Sequence, residues 1–224
     1  MSDLADQVVA RVVPMFTAEA DPARAEGQRA YMRDQFPYLG LTLPQVRKMS
    51  KTLMKSVPPA GPDDLREIAL RCWEMPAREY QYFACEILRA DALGPSFLVT
   101  LRTLITTKSW WDTVDPLATR IVGDLVRAHR SLAATMDEWS GDDNVWLART
   151  AVLHQLHWGV ETDTRRLFSY CTAQAGHRDF FIRKAIGWAL RHYARTDPSA
   201  VRAYVDAHRD ALSPLSVREA TKHL

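Results

Sequence analysis

Residues 146–156, W-L-A-R-T-A-V-L-H-Q-L, and residues 181–190, F-I-R-K-A-I-G-W-A-L, both space their apolar side chains for a helix, and both place an alanine two residues after an arginine. The same phase extends in both directions. Met49, Ala84, Ala118, Ala151, Ala185 and Ala220 lie 35, 34, 33, 34 and 35 residues apart, and Arg47-Lys-Met49 and Arg218-Glu-Ala220 repeat the triplet. Turn signals fall between the copies, at Pro58 to Asp64, Leu93-Gly94-Pro95, Ser140 to Asp143 and Thr196-Asp197-Pro198. Strand-like alternation is largely absent. Repeats of about 20 to 50 residues made of helix pairs bury their faces against their neighbours, which predicts an all-α chain in the form of a solenoid.

The period is close to that of tetratricopeptide repeats, but their W-x-x-L-G signature does not occur, so the expectation is a superhelical array of antiparallel HEAT-like helix pairs. The concave face of such an array is its natural binding groove, and residues 1–224 read as one domain. A chain of 224 residues with 47% hydrophobic content can bury a core. No run approaches the roughly 18 apolar residues of a membrane helix, and M-S-D-L-A-D-Q is not a signal peptide, so the reading is cytoplasmic, with no membrane partner. Cys72, Cys85 and Cys171 are odd in number and scattered, which suggests reduced core thiols rather than disulfides or a zinc site. A net charge of +2 decides nothing by itself.

The charge is unevenly placed. Residues 41–60 hold Arg47, Lys48, Lys51 and Lys55 and no acid, with 47, 51 and 55 on one helical face. Between Asp179 and Asp197 come Arg183, Lys184, Arg191 and Arg195, again without an acid. Either cluster reads as a solvated face or as a phosphate contact. Lys184, Trp188 and Arg191, at spacings of four and three, flank an indole with cations.

A second unusual string is K-S-W-W-D-T-V-D, residues 108–115. Ser109 and Asp112 have the form of a capping box, so a helix is expected to begin there with Trp111 and Asp115 on one face. Trp111, Asp115, Arg149, Lys184 and Trp188 all fall within seven residues of the phase-marking alanine of their own repeat, and so should line a common groove. Cations and indoles suit DNA. An acid among them either pairs with an arginine or serves chemistry such as glycosidic cleavage, where an anion stabilises an oxocarbenium-like sugar. The plainer alternatives are a core tryptophan and a capping aspartate. His154 and His157 lack a third metal ligand, no P-loop or G-x-G-x-x-G occurs, and Glu74, Glu79 and Glu86 read as ordinary helix-face acids.

T-K-S-W-W-D-T-V-D (107–115), D-N-V-W-L-A-R (143–149) and F-F-I-R-K-A-I-G-W-A-L-R (180–191) closely resemble the AlkD family of bacterial DNA alkylation-repair glycosylases. The likeness runs from about Tyr31-Met32 to the end, with a departure at Leu43, where relatives are expected to carry a polar residue. The resemblance implies a superhelix of HEAT-like pairs that excises cationic N3- and N7-alkylated purines from duplex DNA. It also implies action from the sugar side, with no base-flipping pocket and neither metal nor organic cofactor. By motif position, Asp115 would be the catalytic acid, Trp111 and Trp188 the indoles at the lesioned deoxyribose, and Arg149 and Arg191 DNA contacts. Lys184 and Arg47 join the DNA-binding set by charge and phase, and Tyr31, where the likeness begins, is counted with them as a DNA contact. The expected partner is double-stranded DNA and the expected state a monomer. The competing reading is a HEAT-repeat scaffold that binds DNA or protein without catalysis.

Overall fold

The computed structural model describes residues 2–88 and 93–224, and every regular element among them is helical. Nine of these helices carry a recognisable start signal, a capping side chain, a first-turn proline or both. Side-chain oxygens of Ser2, Asp21, Thr42, Asn144, Asp163, Asp179, Asp197 and Ser213 accept from amides of the first turns that follow them. Prolines at Pro22, Pro44, Pro62, Pro198 and Pro214 stand in first turns, where a missing N–H costs nothing.

The chain divides into two compact units, Met1–Thr100 and Leu101–Leu224. In the first, α1 (Asp3–Ala18), α2 (Pro22–Tyr31), α3 (Leu43–Lys55), α4 (Pro62–Glu74) and α5 (Arg78–Ile87) enclose Phe16, Val46, Ile68 and Phe83, and α5 packs on both α3 and α4. Glu79 is fully buried there: its carboxylate accepts from the amides of Leu39, Gly40 and Leu41 at 2.8–3.1 Å. It pins the α2–α3 connection rather than facing solvent, because three otherwise orphaned buried amides need an acceptor. Gly40 sits there at φ +96°, with the Asp21 carbonyl filling the space a Cβ would need.

In the second unit, α6 (Leu98–Thr106) enters from the first. Then come α7 (Trp111–Pro116), a π-helical segment (Leu117–Val122) and α8 (Gly123–Ala128) without a break. After α9 (Ala133–Trp139) the chain continues as α10 (Val145–Leu153), α11 (Thr164–Ala173), α12 (Phe180–Tyr193), α13 (Pro198–Ala207) and α14 (Pro214–Ala220). Alternate helices stack directly: α10 on the π segment, α12 on α10, and α14 on α12, while α9, α11 and α13 pack alongside. Ala118, Ala151, Ala185 and Ala220 mark these stacked elements and are all fully buried. The repeat phase is thus the phase of closest helix approach, where only a small side chain fits. Ala84 is likewise buried on α5.

Among the described residues no helix is long and apolar enough to cross a membrane. Cys72, Cys85 and Cys171 are buried, and burial pushes the Cys72 thiol up to about 12. His154 is also buried. Its Nδ1 donates to the Ala151 carbonyl at 2.7 Å, and burial holds the imidazole down to about 4.

Candidate functional site

Three rings mark one end of the second unit's stack. Trp110, Trp146 and Phe181 stand at the N-terminal ends of α7, α10 and α12, with centroids 5.0–5.9 Å apart. The expected capping box is corrected here. The N-cap of α7 is Trp110, without a side-chain cap, and the Ser109 hydroxyl instead donates to the Ile105 carbonyl at 2.6 Å. Ser109 therefore finishes α6 rather than starting α7. The helix still begins at Trp111, so Trp111 and Asp115 lie one turn apart, both partly buried.

Asp115 ends the regular part of that helix. Pro116 follows and brings no N–H to the ladder, and the π segment then receives the chain, with Thr119 Oγ1 donating to the Asp115 carbonyl at 2.8 Å. Such segments are frequent at functional sites. The Asp115 carboxylate faces α10. Arg149 Nε donates to Oδ1 at 2.7 Å and Arg149 Nη2 to Oδ2 at 2.8 Å, a two-point fork. Arg149 Nη1 donates in turn to the Phe181 carbonyl, and its guanidinium lies 5.4 Å from the Trp188 ring. Arg149 is only 1% exposed, whereas Asp115 keeps 19%.

Arg149 was expected to contact DNA, and Asp115 either to pair with an arginine or to serve chemistry. In the structure the Arg149 guanidinium is buried and forks onto the Asp115 carboxylate. Trp188 is partly buried on α12, with Lys184 Nζ 5.8 Å from its ring. Lys184 and Arg191 flank it as expected, but the acid missing from their own segment arrives from α14. Glu219 accepts from Lys184 Nζ at 2.8 Å and from Arg191 Nη1 at 3.0 Å. The Lys184 bond holds the Glu219 carboxyl below the usual carboxylate range.

Gly187 makes this contact possible. A Cβ there would press into Glu219 Cβ and come within 3.1 Å of the Ser216 carbonyl, so α14 lies directly on α12. Sequence reading missed Glu219, yet a signal existed. Asp115, Arg149, Lys184 and Glu219 are 34, 35 and 35 residues apart, so charges of both signs recur once per repeat at the stacking phase.

The first unit holds the two remaining expected residues. Arg47 is exposed on α3 and pairs with Glu86 at 3.1 Å; Lys48, Lys51 and Lys55 are exposed on the same helix. Tyr31, at the end of α2, is 73% exposed. Among the described residues no group of three or more His, Cys, Asp or Glu is placed to hold a metal ion.

A family model described as DNA alkylation repair enzyme matches residues 14–224. The chain belongs to the DNA alkylation repair enzyme family. The AlkD-like motifs of this family therefore sit on one side of a stack: the W-W-D-T-V-D acid, the W-L-A-R arginine and the I-G-W tryptophan meet within α7, α10 and α12. A solved structure described as a predicted DNA alkylation repair enzyme from Enterococcus faecalis is 30% identical, with a TM-score of 0.83 over 92% of this chain and 96% of that one. AlkD2 from Streptococcus mutans (14% identity, TM-score 0.64, 82% and 91% covered) and smu.31 from Streptococcus mutans UA159 (15%, 0.63, 81% and 92%) share the fold. No curated protein matches the chain significantly.

Proposed function

We propose that this DNA alkylation repair family member is a monofunctional glycosylase that hydrolyses the N-glycosidic bond of cationic N3- and N7-alkylated purines in duplex DNA. The observation that carries the reading is the Asp115–Arg149 fork beside Trp188. A carboxylate gripped at both oxygens by a buried guanidinium cannot rotate, and it presents its exposed edge in one direction. Preorganisation of that kind is what a transition state with charge on the sugar requires.

The chemistry is simple in its balance. The alkylated purine already carries positive charge, so the bond from C1′ to nitrogen can break with its electron pair going to the base, which leaves neutral. The sugar becomes oxocarbenium-like; Asp115 stabilises it, and water adds at C1′ while losing a proton. No general acid at the base is needed, and because C1′ is approached from the sugar side the reading calls for no flipping pocket. Trp111 and Trp188 would offer ring faces to the sugar's C–H groups and growing cation. The exposed cations of α3, with Tyr31, would meet the backbone. Residues 1–224 would then work as one domain of HEAT-like pairs, a reading supported by the alternate stacking within the second unit.

The same fork also favours a second reading, in which Asp115 merely satisfies a buried arginine and the protein is a binding scaffold. Incubation with N-methylated duplex followed by alkali separates the two, since strands break only where a base has been removed. Intact strands alongside measurable DNA binding would favour the scaffold.

A further inference from the structure

The basic pair on α12 is already occupied. Glu219 places one carboxylate oxygen on Lys184 and the other on Arg191, at 2.8 and 3.0 Å. Two oxygens of one anionic group, each on its own cation, is also what a backbone phosphodiester would offer the same pair. The three side chains are 26%, 18% and 15% exposed, so an incoming anion can reach the cations, but it meets a net charge of one rather than two. Two further features fit an occupant that can leave. Gly187 fixes the Glu219 backbone against α12, so only the side chain need move. Exposed Lys222, three residues on, also draws the Glu219 carboxyl down, and gives a displaced carboxylate a second cation to meet.

We propose that Glu219 is a tethered competitor for phosphate: it fills the Lys184–Arg191 site in the DNA-free protein and yields it to a phosphodiester of the duplex. The proposal rests on the DNA-binding reading above and adds how that surface is regulated. Exchange of one anion for another lets α12 and Trp188 keep their places while the protein samples undamaged DNA weakly. A search for rare lesions needs such weak contacts.

The test is fluorescence anisotropy with undamaged duplex across a salt series. Glu219→Gln keeps the shape and packing against Gly187 and removes the charge. It should bind about tenfold tighter than wild type at about 50 mM salt, with the slope of log K against log salt little changed, since both proteins neutralise the same phosphate in the complex and only wild type must first displace its own carboxylate. Glu138→Gln, exposed on α9, makes the same change in net charge and should shift affinity less than about twofold, since an exposed charge outside the Lys184–Arg191–Glu219 group is screened. With Lys184→Gln and Arg191→Gln already present, adding Glu219→Gln should change nothing further, because Glu219 acts only through those cations.

A Glu219→Gln protein that binds no tighter than wild type overturns the proposal, as does an equal gain from Glu138→Gln or a gain that survives loss of both cations. If wild type binds duplex and excises bases while Glu219→Gln changes nothing, only the competitor falls. If neither protein binds duplex, the DNA-binding reading falls and takes the competitor with it.

Discussion

Replacing Asp115 with Asn removes a charge and keeps a shape, and the two consequences have separate sizes. Stability comes first. Arg149 is 1% exposed and would lose an anionic partner, a change that costs about 3–5 kcal/mol when a buried charge is left bare. Here it is not left bare, because Asn Oδ1 still accepts one bond and the Phe181 carbonyl and Trp188 ring remain. The expected cost is nearer 1–3 kcal/mol. For a chain of 224 residues that lowers Tm by about 2 to 12 °C, which leaves the protein folded at 25 °C. The rate comes second. Loss of one preorganised charge at the reacting centre should slow base release about 10²- to 10³-fold.

The assay is single-turnover release of 7-methylguanine at saturating enzyme, with anisotropy for DNA affinity and a thermal melt on the same preparations. Affinity should stay within about threefold of wild type, under 1 kcal/mol. A melt that falls as expected while release slows less than about tenfold would falsify the catalytic role and leave Asp115 as the partner of a buried arginine.

Three other changes probe the rest of the molecule. Gly187→Ala puts a methyl group into Glu219 Cβ and should cost about 1–3 kcal/mol by overpacking, read as an earlier urea midpoint; an unchanged midpoint would mean that α14 is not seated on α12. His154 is held near 4 against an ordinary 6.5, so the folded state resists a proton that the unfolded chain accepts: its contribution is whole above pH about 6.5 and is lost as pH falls towards about 4. His154→Gln should therefore lose less stability than wild type as pH falls from about 7 to about 5, part of the way through that window, and equal losses would refute the assignment. Lys51→Gln should reduce the salt slope of duplex binding by about 0.9 if α3 meets the backbone, and an identical slope would remove this helix from the interface.

The helical class and repeat phase were legible because stacking imposes a rule at every repeat. Ala118, Ala151, Ala185 and Ala220 are small for the same reason, and a spacing of one repeat survives translation from chain to space. Trp188, Lys184 and Arg191 share one face by simple helical arithmetic. The partners were harder to read, because each lies a whole repeat away on another helix. Asp115 finds Arg149 and Lys184 finds Glu219 across gaps of 34 and 35 residues, and no local pattern announces either. Glu79 escaped for a different reason. It stands one residue into an ordinary-looking helix, and only the fold of the α2–α3 connection supplies the amides that bury it. At Ser109 local propensity placed the boundary within one residue, although that hydroxyl closes α6 and α7 has no side-chain cap.

The π-helical segment frees the position of Asp115 from strict counting. A turn of this kind takes up one residue more than an α-helical turn, so it absorbs an extra residue while the helix on either side keeps its phase. Losing one residue from 117–122, and with it the widened turn, would therefore leave Asp115 on the side that faces Arg149 and take a side chain out of the core, where Leu117, Ala118 and Val122 are fully buried. Chain length across these six residues is a constraint on packing before it is one on chemistry, and a single-codon deletion here should cost stability rather than the Asp115–Arg149 fork.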